Sequence, residues 1–384
     1  MADTPKFSPI LGLPIADEPV SVSVPAPEAE DDAARPELSV IIPARNEELN
    51  LEACLASLLA QDDDFFKLGK DWELIVIDDA STDRTRAIAN SLQREGMTVI
   101  EAPPLELRAT QRAFTGKTQA CWVGAQQAHG RWLLFTDADT IHEPGDLVRA
   151  LHEAKKHSVA LLSYSPQQIV TGLAQRALMP LVFSELVSVY PPKEVNDPGK
   201  KLAAANGQFL LVARKAYFAA GGHRAVGLSV LEDVDLAWNI KRNGARNGGR
   251  YIRLRYAPDA LSTRMYRTLG EMMEGWEKNL ALLFPHALML AAWRTLDIAL
   301  LLLPVLIFIL PFMVWWKDVI LWLLWLRNLI RFYSRVRRSN FGWLDCLLSV
   351  FALPLFIYLL VRSWMNHKLF HQIAWKGREY RTGR

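Results

Sequence analysis

Apolar positions recur along the first two-thirds of the chain in two rhythms, short runs and helical stripes, and the rhythm changes near residue 280. Residues 38–42 form a short apolar run that Pro43 closes, which predicts a strand. Within 47–60, Leu51, Cys54, Leu55, Leu58 and Leu59 fall at helical spacing. ELIVID (73–78) predicts a second strand, and the helix after it starts from Ser81, Thr82 and Asp83, side chains suited to capping. A third strand is expected near 98–101, a helix over 117–128, and a fourth strand in LLFTDADT, residues 133–140. Helices near 145–157 and 172–189, a strand at 208–213, a helix at 232–243 and a strand at 250–256 complete the pattern. Strands alternating with helices predict an α/β fold, a doubly wound, mostly parallel sheet with helices on both faces. Ligands bind such sheets beyond the carboxyl ends of the strands.

Beyond residue 280 the apolar runs lengthen. Residues 298–316 carry no charge and are long enough to span a bilayer, and 344–361 is a second candidate. Between them, 319–333 is apolar but short and holds Arg327 and Arg331. A central arginine costs about 2.5–3.5 kcal/mol on insertion, so this segment either spans at a tilt or lies in the interface. Within 264–284, Met265, Leu269, Met272, Met273 and Trp276 recur at helical spacing among basic residues, which suits an interfacial amphipathic helix or a core helix equally. Residues 1–36, rich in Pro, Ala and acidic residues, are expected to be a disordered tail without a secretory signal pattern. The expected organisation is therefore a tail (1–36), an α/β domain (37–263), an amphipathic helix (264–285), a transmembrane region (286–363) and a basic tail (364–384).

Composition refines this picture. A net charge of +3 is too small to suggest nucleic acid as a partner, and 51% apolar residues allow a substantial core. Many of the thirteen tryptophans lie after residue 270, as expected near a membrane interface. Cys54, Cys121 and Cys346 have neither metal-ligand spacing nor a disulfide pattern, which fits a reducing, cytoplasmic setting. Arg327, Arg331, Arg335, Arg337 and Arg338 mark a cytoplasmic segment, and Lys376, Arg378, Arg381 and Arg384 make the tail basic as well. A three-span arrangement satisfies the first cluster and a two-span arrangement the second.

The chemistry gathers at the expected strand ends. Asp137 and Asp139 close the fourth strand, where residues two apart point to one side. Such a pair suits Mg²⁺ or Mn²⁺ completed by phosphate oxygens, or is simply an exposed acidic turn. IIPARNEE puts Arg45, Asn46 and Glu47 at the end of the first strand, and VIDDASTDRT puts Asp78 and Asp79 at the end of the second. Singly, Asp79 reads as a helix-capping acid and Arg45 as a surface ion pair; together, polar groups from three strand ends converge on one crevice. Glu232, Asp233 and Asp235 open a predicted helix, where they also complement its dipole. Gly221 and Gly222, before His223 and Arg224, predict a turn ahead of that helix. TGKT (115–118) is not a phosphate-binding P-loop, because Gln111 stands where the motif needs glycine. His129, His142, His223 and His286 have no zinc spacing.

In this order, PARNEE, VIDDASTDRT, TDAD and LEDVDLAWNIKRNG resemble the inverting family 2 glycosyltransferases with the GT-A fold, over roughly residues 37–285. FTGKTQACWVGAQQA, VYPPKEVNDP, AAANGQFLLVARKAY and WKGREY are similar to the membrane-bound, hopanoid-associated branch and its relatives that glycosylate carotenoid acids. The resemblance implies that Pro43, Arg45 and Glu47 line a nucleotide pocket, that Asp79 contacts the base, and that Lys117 sits near the base or phosphates. It implies that Asp137 and Asp139 hold ribose and a metal–diphosphate, with Asp139 as direct ligand, and that Asp233 is the catalytic base. It also implies a UDP-sugar donor, a divalent Mg²⁺ or Mn²⁺ cofactor, a lipid acceptor of hopanoid, carotenoid or polyprenyl type, and a multi-pass inner-membrane protein with its catalytic domain in the cytoplasm. HQIAW (371–375) lacks the arginine of the Q-x-x-R-W motif that binds diphosphate in many lipid-linked relatives; Lys376 and Arg378 follow it instead. The two other classes to weigh are a nucleotidyltransferase, for which PARNEE lacks a glycine- and lysine-rich triphosphate loop, and a non-catalytic membrane scaffold that retains the fold.

Overall fold

The computed structural model describes residues 35–105, 114–246, 251–304, 315–370, 372–375 and 378–381. Its order begins β1 (Leu38–Ala44), α1 (Leu51–Leu59), β2 (Trp72–Asp78), α2 (Thr85–Ser91), β3 (Met97–Glu101), α3 (Gly116–Gln127) and β4 (Trp132–Thr136). It continues with β5 (Thr140–His142), α4 (Asp146–Lys156), β6 (Val159–Ser165), β7 (Gln167–Gln168), α5 (Leu173–Val189) and α6 (Pro192–Val195). Then come β8 (Phe209–Ala213), α7 (Arg214–Ala219), α8 (Gly222–Ala225), α9 (Glu232–Arg246), β9 (Tyr251–Tyr256) and β10 (Leu261–Thr263).

Seven strands form one sheet in the order β3-β2-β1-β4-β8-β6-β9. β1 lies parallel to both β2 and β4, so the carboxyl ends of the three strands that carry the candidate residues open on one edge. Alternate residues of β1 face opposite helical layers, and Val40, Ile41 and Ile42 are all fully buried, as a strand covered on both faces requires. α3 packs against β1 at Gly124, where an added Cβ would overlap Ile41 Cγ2, so this close approach needs glycine. A small three-stranded sheet, β5-β10-β7, stands beside the main one.

Cα packing divides the described chain into two compact units. The α/β unit comprises the residues up to Ile169 and Pro192–Met265, and the helical unit comprises Val170–Pro191 and the chain from Tyr266 onward. Among the described residues, the helical unit adds to α5 the segments α10 (Leu269–Leu283), α11 (Ala287–Leu301), α12 (Trp315–Val336), and a continuous helix Trp343–Phe370 that contains α13 (Trp343–Leu348) and α14 (Leu353–Met365). A hairpin of β11 (Gln372–Trp375) and β12 (Arg378–Arg381) follows. Trp343–Phe370 is, among the described residues, the one helix long and apolar enough to cross a membrane. Charges inside this unit are paired, as burial demands: Arg294 with Asp297, Arg331 with Asp297 at 2.7 Å, and Arg335 with Glu185 at 3.2 Å.

Several expectations change. The sheet is mixed, because β8 runs antiparallel to both β4 and β6. The first helix starts at Leu51 rather than 47, since residues 46–50 bond to the loop after β2 instead: Asn46 N–H donates to Ser81 Oγ and Glu47 N–H to Thr85 Oγ1. The second helix starts at Thr85 with Arg84 as its N-cap residue and no side-chain cap, although Asp83 Oδ1 accepts from Thr85 N–H at 2.9 Å. LLFTDADT is not one strand; β4 ends at Thr136 and β5 starts at Thr140. The 172–189 helix, expected within the α/β domain, packs with the C-terminal helices. The helix expected over 264–284 is α10, and Met272, Trp276 and Leu280 are buried within its own unit, the core alternative for that face. Of the remaining expectations, the tail to residue 34, the 305–314 part of the 298–316 segment and Lys376 lie outside the described residues.

Candidate active site

The carboxyl end of β4 turns at once. Thr140 donates from both its amide (3.2 Å) and its hydroxyl (2.7 Å) to the Asp137 carbonyl. Asp137 and Asp139 therefore stand in a tight turn, not on an extended strand, and the two-residue strand periodicity does not govern where they point. Buried polar groups support this turn. Thr136 Oγ1 donates to the Gln208 carbonyl at 2.8 Å, and Thr263 Oγ1 donates to the Asp139 carbonyl at 3.1 Å. Below them the wholly buried His142 pairs through Nδ1 with Asp146 Oδ2 at 2.7 Å.

Two helix starts meet this turn. α3 opens with a capping box between Thr115 and Thr118, and the Thr118 hydroxyl donates to the Gly227 carbonyl at 2.6 Å. That fixes Lys117 in the first turn, where its ammonium lies 2.9 Å from Asp137 Oδ1 and 3.0 Å from Glu232 Oε1. α9 opens with Glu232 and Asp233. Asp233 Oδ2 accepts from Gly207 N–H and Oδ1 from Val234 N–H, both at 2.8 Å. A Cβ added at Gly207 would lie 3.3 Å from Lys117 Nζ and 3.4 Å from Asp233 Oδ2, so the bare backbone leaves room for the ammonium and the carboxylate at this point. Pro43, Lys117, Asp137, Gly207, His223, Glu232 and Asp233 line one pocket with Cys121, Phe135, Thr136 and Leu210.

The electrostatics follow from burial and neighbours. Burial disfavours the Lys117 charge, but the Asp137 and Glu232 carboxylates outweigh it and hold the ammonium well above its usual range. Burial and then the adjacent Glu232 push Asp233 up to about 7, against the opposing pull of Lys117 and two backbone donors. Burial pushes His223 down to about 3, and its Nδ1 lies 2.8 Å from the Tyr217 hydroxyl. The pocket thus holds a fixed cation and a carboxyl group whose proton affinity lies near neutrality, the pairing that general base catalysis requires.

Arg45, Glu47, Asp79 and Asp139 are not among the residues lining this pocket. The first three form a neighbouring cluster at the ends of β1 and β2. Arg45 donates to the Asp79 carbonyl at 2.7 Å, Asp79 N–H donates to the Ala44 carbonyl at 2.9 Å, and Glu47 Oε2 accepts from Asn50 at 2.8 Å. Asn46 and Ala80, at the two strand ends, both hold φ of +52°, left-handed backbone stored in the loops that border the crevice.

Asp137 and Asp139 offer hard oxygen donors of the kind Mg²⁺ and Mn²⁺ prefer. No group of three or more His, Cys, Asp or Glu is gathered for a metal among the described residues. The donor set therefore fits a cation shared with a bound diphosphate and water rather than an all-protein cage. Reading the sequence missed Gly207, Phe135, Leu210 and the buried Tyr217–His223 pair. The Asn206–Gly207 dipeptide before an apolar run was the available signal for the first.

Comparison with known proteins gives a consistent result. Residues 39–218 match Glycosyl transferase family 2. The chain is similar to 4,4'-diaponeurosporenoate glycosyltransferase of Staphylococcus aureus, 26% identical over 358 residues that cover 89% of this chain and 88% of that protein. Among solved structures it is similar to glucosyl-3-phosphoglycerate synthase of Mycobacterium tuberculosis, crystallised with Mn²⁺, UDP and glucosyl-3-phosphoglycerate, with 21% identity, a TM-score of 0.41, and coverage of 66% of this chain and 80% of that one. It is also similar to S. aureus TarS, with 19% identity and a TM-score of 0.41; the match covers 63% of this chain and 38% of TarS, less than half of that protein's length.

Proposed function

We propose that this glycosyltransferase, whose residues 39–218 match Glycosyl transferase family 2, moves a sugar from a nucleotide-diphosphate donor, UDP-linked, to a lipid acceptor at the membrane. The observation that carries this reading is that Lys117 Nζ and Asp233 Oδ2 meet at one point of the pocket, 3.3 Å and 3.4 Å from where a Cβ of Gly207 would stand. One group suits the leaving diphosphate and the other an acceptor hydroxyl.

In the proposed reaction Pro43 lies against the nucleotide, and Arg45, Glu47 and Asp79 present the base- and ribose-binding edge. Lys117 offsets the charge that develops on the departing diphosphate. Asp137 and Asp139 would hold a divalent cation, which when bound supplies further electrostatic stabilisation of the same leaving group. Asp233 accepts the acceptor's proton as the acceptor oxygen bonds to the anomeric carbon and the bond from that carbon to the diphosphate oxygen breaks. The configuration inverts, the proton ends on Asp233, and the electron pair leaves with the diphosphate. Gly207 and Val234 amides hold the carboxylate in place, so no reorientation is needed at the moment of transfer. His223 stays neutral because burial holds its affinity so low, and it forms pocket wall.

A carotenoid acid, the acceptor class in the name of the S. aureus relative, is a carboxylate at neutral pH and has no proton to give. For such an acceptor Asp233 would position rather than deprotonate. The test is a donor screen on membranes containing the chain, followed by mass spectrometry of extracted lipids. The reading expects a hexosyl mass increment on a lipid with one nucleotide sugar. Donor turnover that yields only water-soluble glycosides would remove the lipid acceptor.

A further inference from the structure

The helix Trp343–Phe370 passes the length and composition test for a membrane span, yet its contacts oppose that role. Near its start, Asp345 pairs with Arg176 at 2.6 Å. Near its end, Arg362 pairs with Glu277 at 3.7 Å, Ser363 Oγ accepts from Ala281 N–H at 2.9 Å, and His367 Nε2 lies 2.7 Å from the Lys278 carbonyl. Between the two ion pairs, residues 346–361 carry no charge. Sixteen helical residues rise about 24 Å, short of the roughly 30 Å hydrocarbon core.

The partners settle the direction in which the two ends point. Arg176 is in the first turn of α5, which starts at Leu173, a few residues after the α/β unit's Ile169. α10 starts at Leu269, just after the second crossing at Met265. The two starts are bonded to each other, because Gln175 Nε2 donates to the Tyr266 carbonyl at 3.2 Å. Phe356 meets Phe284 past the end of α10, Ser363 meets Ala281, and His367 meets Lys278. The C-terminal half of the helix therefore runs antiparallel to α10, back toward the start of α10. The start of the helix is thus tied to the first turn of α5, and its C-terminal end turns back along α10 as far as Lys278. α10 itself exposes Glu271 and Glu274 near its start, which keeps that end of α10 out of the hydrocarbon.

One face of the helix is buried along its whole course, through Cys346, Leu353, Phe356, Leu360, Ser363 and His367. The opposite face exposes Leu344, Leu347, Phe351 (77% exposed) and Tyr358, with Trp343 (74%) at its start. Arg337, Arg338, Arg362 and Lys368 are exposed beside this apolar face. A long apolar face with a basic border fits an anionic phospholipid surface. We propose that Trp343–Phe370 lies in the plane of the membrane interface with its apolar face in the lipid, and that both its ends, and the β11–β12 hairpin, are on the same side of the membrane as the α/β unit. This rests on the membrane reading of the proposed function and fixes how the membrane is met.

The test uses the full chain in inner-membrane preparations, with single cysteines introduced as Lys70→Cys and Arg338→Cys, at exposed positions, and as Glu379→Cys in the hairpin. The native Cys54, Cys121 and Cys346 are buried, so the parent chain serves as the blank for a membrane-impermeant maleimide. All three variants are expected to label in inverted vesicles and to stay unlabelled in intact cells. Labelling of Arg338→Cys and Glu379→Cys from opposite sides would make the helix a span and overturn the proposal. Labelling of both from the side opposite Lys70→Cys would overturn it as well. Recovery of the chain in the soluble fraction at low salt, without carbonate or detergent, would instead remove the membrane reading itself, whatever the labelling, and neither result touches sugar transfer measured in the same preparation.

Discussion

Lys117 Nζ lies 2.9 Å from Asp137 Oδ1, which joins the first turn of α3 to the end of β4. The same ammonium lies 3.0 Å from Glu232 Oε1 at the start of α9. One cation therefore holds two acidic elements of the pocket together. Lys117→Met removes that link and leaves both carboxylates unneutralised. Donor binding, measured by calorimetry with UDP-sugar and Mn²⁺, is expected to weaken about tenfold or more. Unchanged donor affinity would place Lys117 outside the diphosphate site.

The pH dependence has a definite sign. The Asp233 carboxyl, raised to about 7, is a competent base only when ionised. With a hydroxyl acceptor, kcat/KM is expected to fall as pH drops through about 7. Lys117 pulls the Asp233 affinity down, so in Lys117→Met the acid limb should move to higher pH. With a carboxylic acid acceptor the reactive form is already ionised, and the limb set by Asp233 should vanish. A pH series on the two acceptor classes separates these outcomes.

Gly207→Ala adds one methyl group 3.3 Å from Lys117 Nζ and 3.4 Å from Asp233 Oδ2. Those contacts are tight but open to adjustment, and Gly207 does not need a left-handed backbone. The fold should survive, with far-UV circular dichroism unchanged, while kcat falls by about tenfold through displaced groups. A variant with wild-type kcat would show that the bare glycine is not needed for the pocket's geometry.

Gly124→Ala acts elsewhere. Its Cβ would overlap Ile41 Cγ2 and sit 3.3 Å from Ile77 Cγ1, so α3 would be pushed off β1 and β2. Overpacking of this kind costs about 1–3 kcal/mol. A lower denaturation midpoint is expected, together with reduced activity, because Lys117 rides on the same helix.

The contrast between Gly124 and Gly207 reflects what the chain reveals unaided. β1, β2, β3 and β8 were legible as apolar runs, α3 as a helix near 117–128, and the start of α9 as the acidic residues Glu232, Asp233 and Asp235. β6 was not, since VALLSYS follows α4 with only Ser158 (φ +49°) as punctuation and blends into a helical pattern. The antiparallel insertion of β8 was hidden because an apolar run does not encode its direction. Asp137 was singled out by residue type, Lys117 and Asp233 were named through the family resemblance, and all three line one pocket. Gly207 contributes only a backbone amide and an absent side chain, which no pattern of side-chain chemistry registers. The pairing of α5 with the C-terminal helices depends on Arg176, Gln175 and Glu185 meeting partners more than ninety residues away, and local periodicity cannot carry that.

The central claim is that Asp233 takes the acceptor's proton while Lys117 and the Asp137–Asp139 turn manage the diphosphate. The most direct measurement is single-turnover transfer by Asp233→Asn in membranes, with UDP-sugar binding followed in parallel. The expected result with a hydroxyl acceptor is a loss of transfer of about 10²-fold or more, with donor binding within about twofold. Transfer near the wild-type rate with donor binding intact would contradict the account.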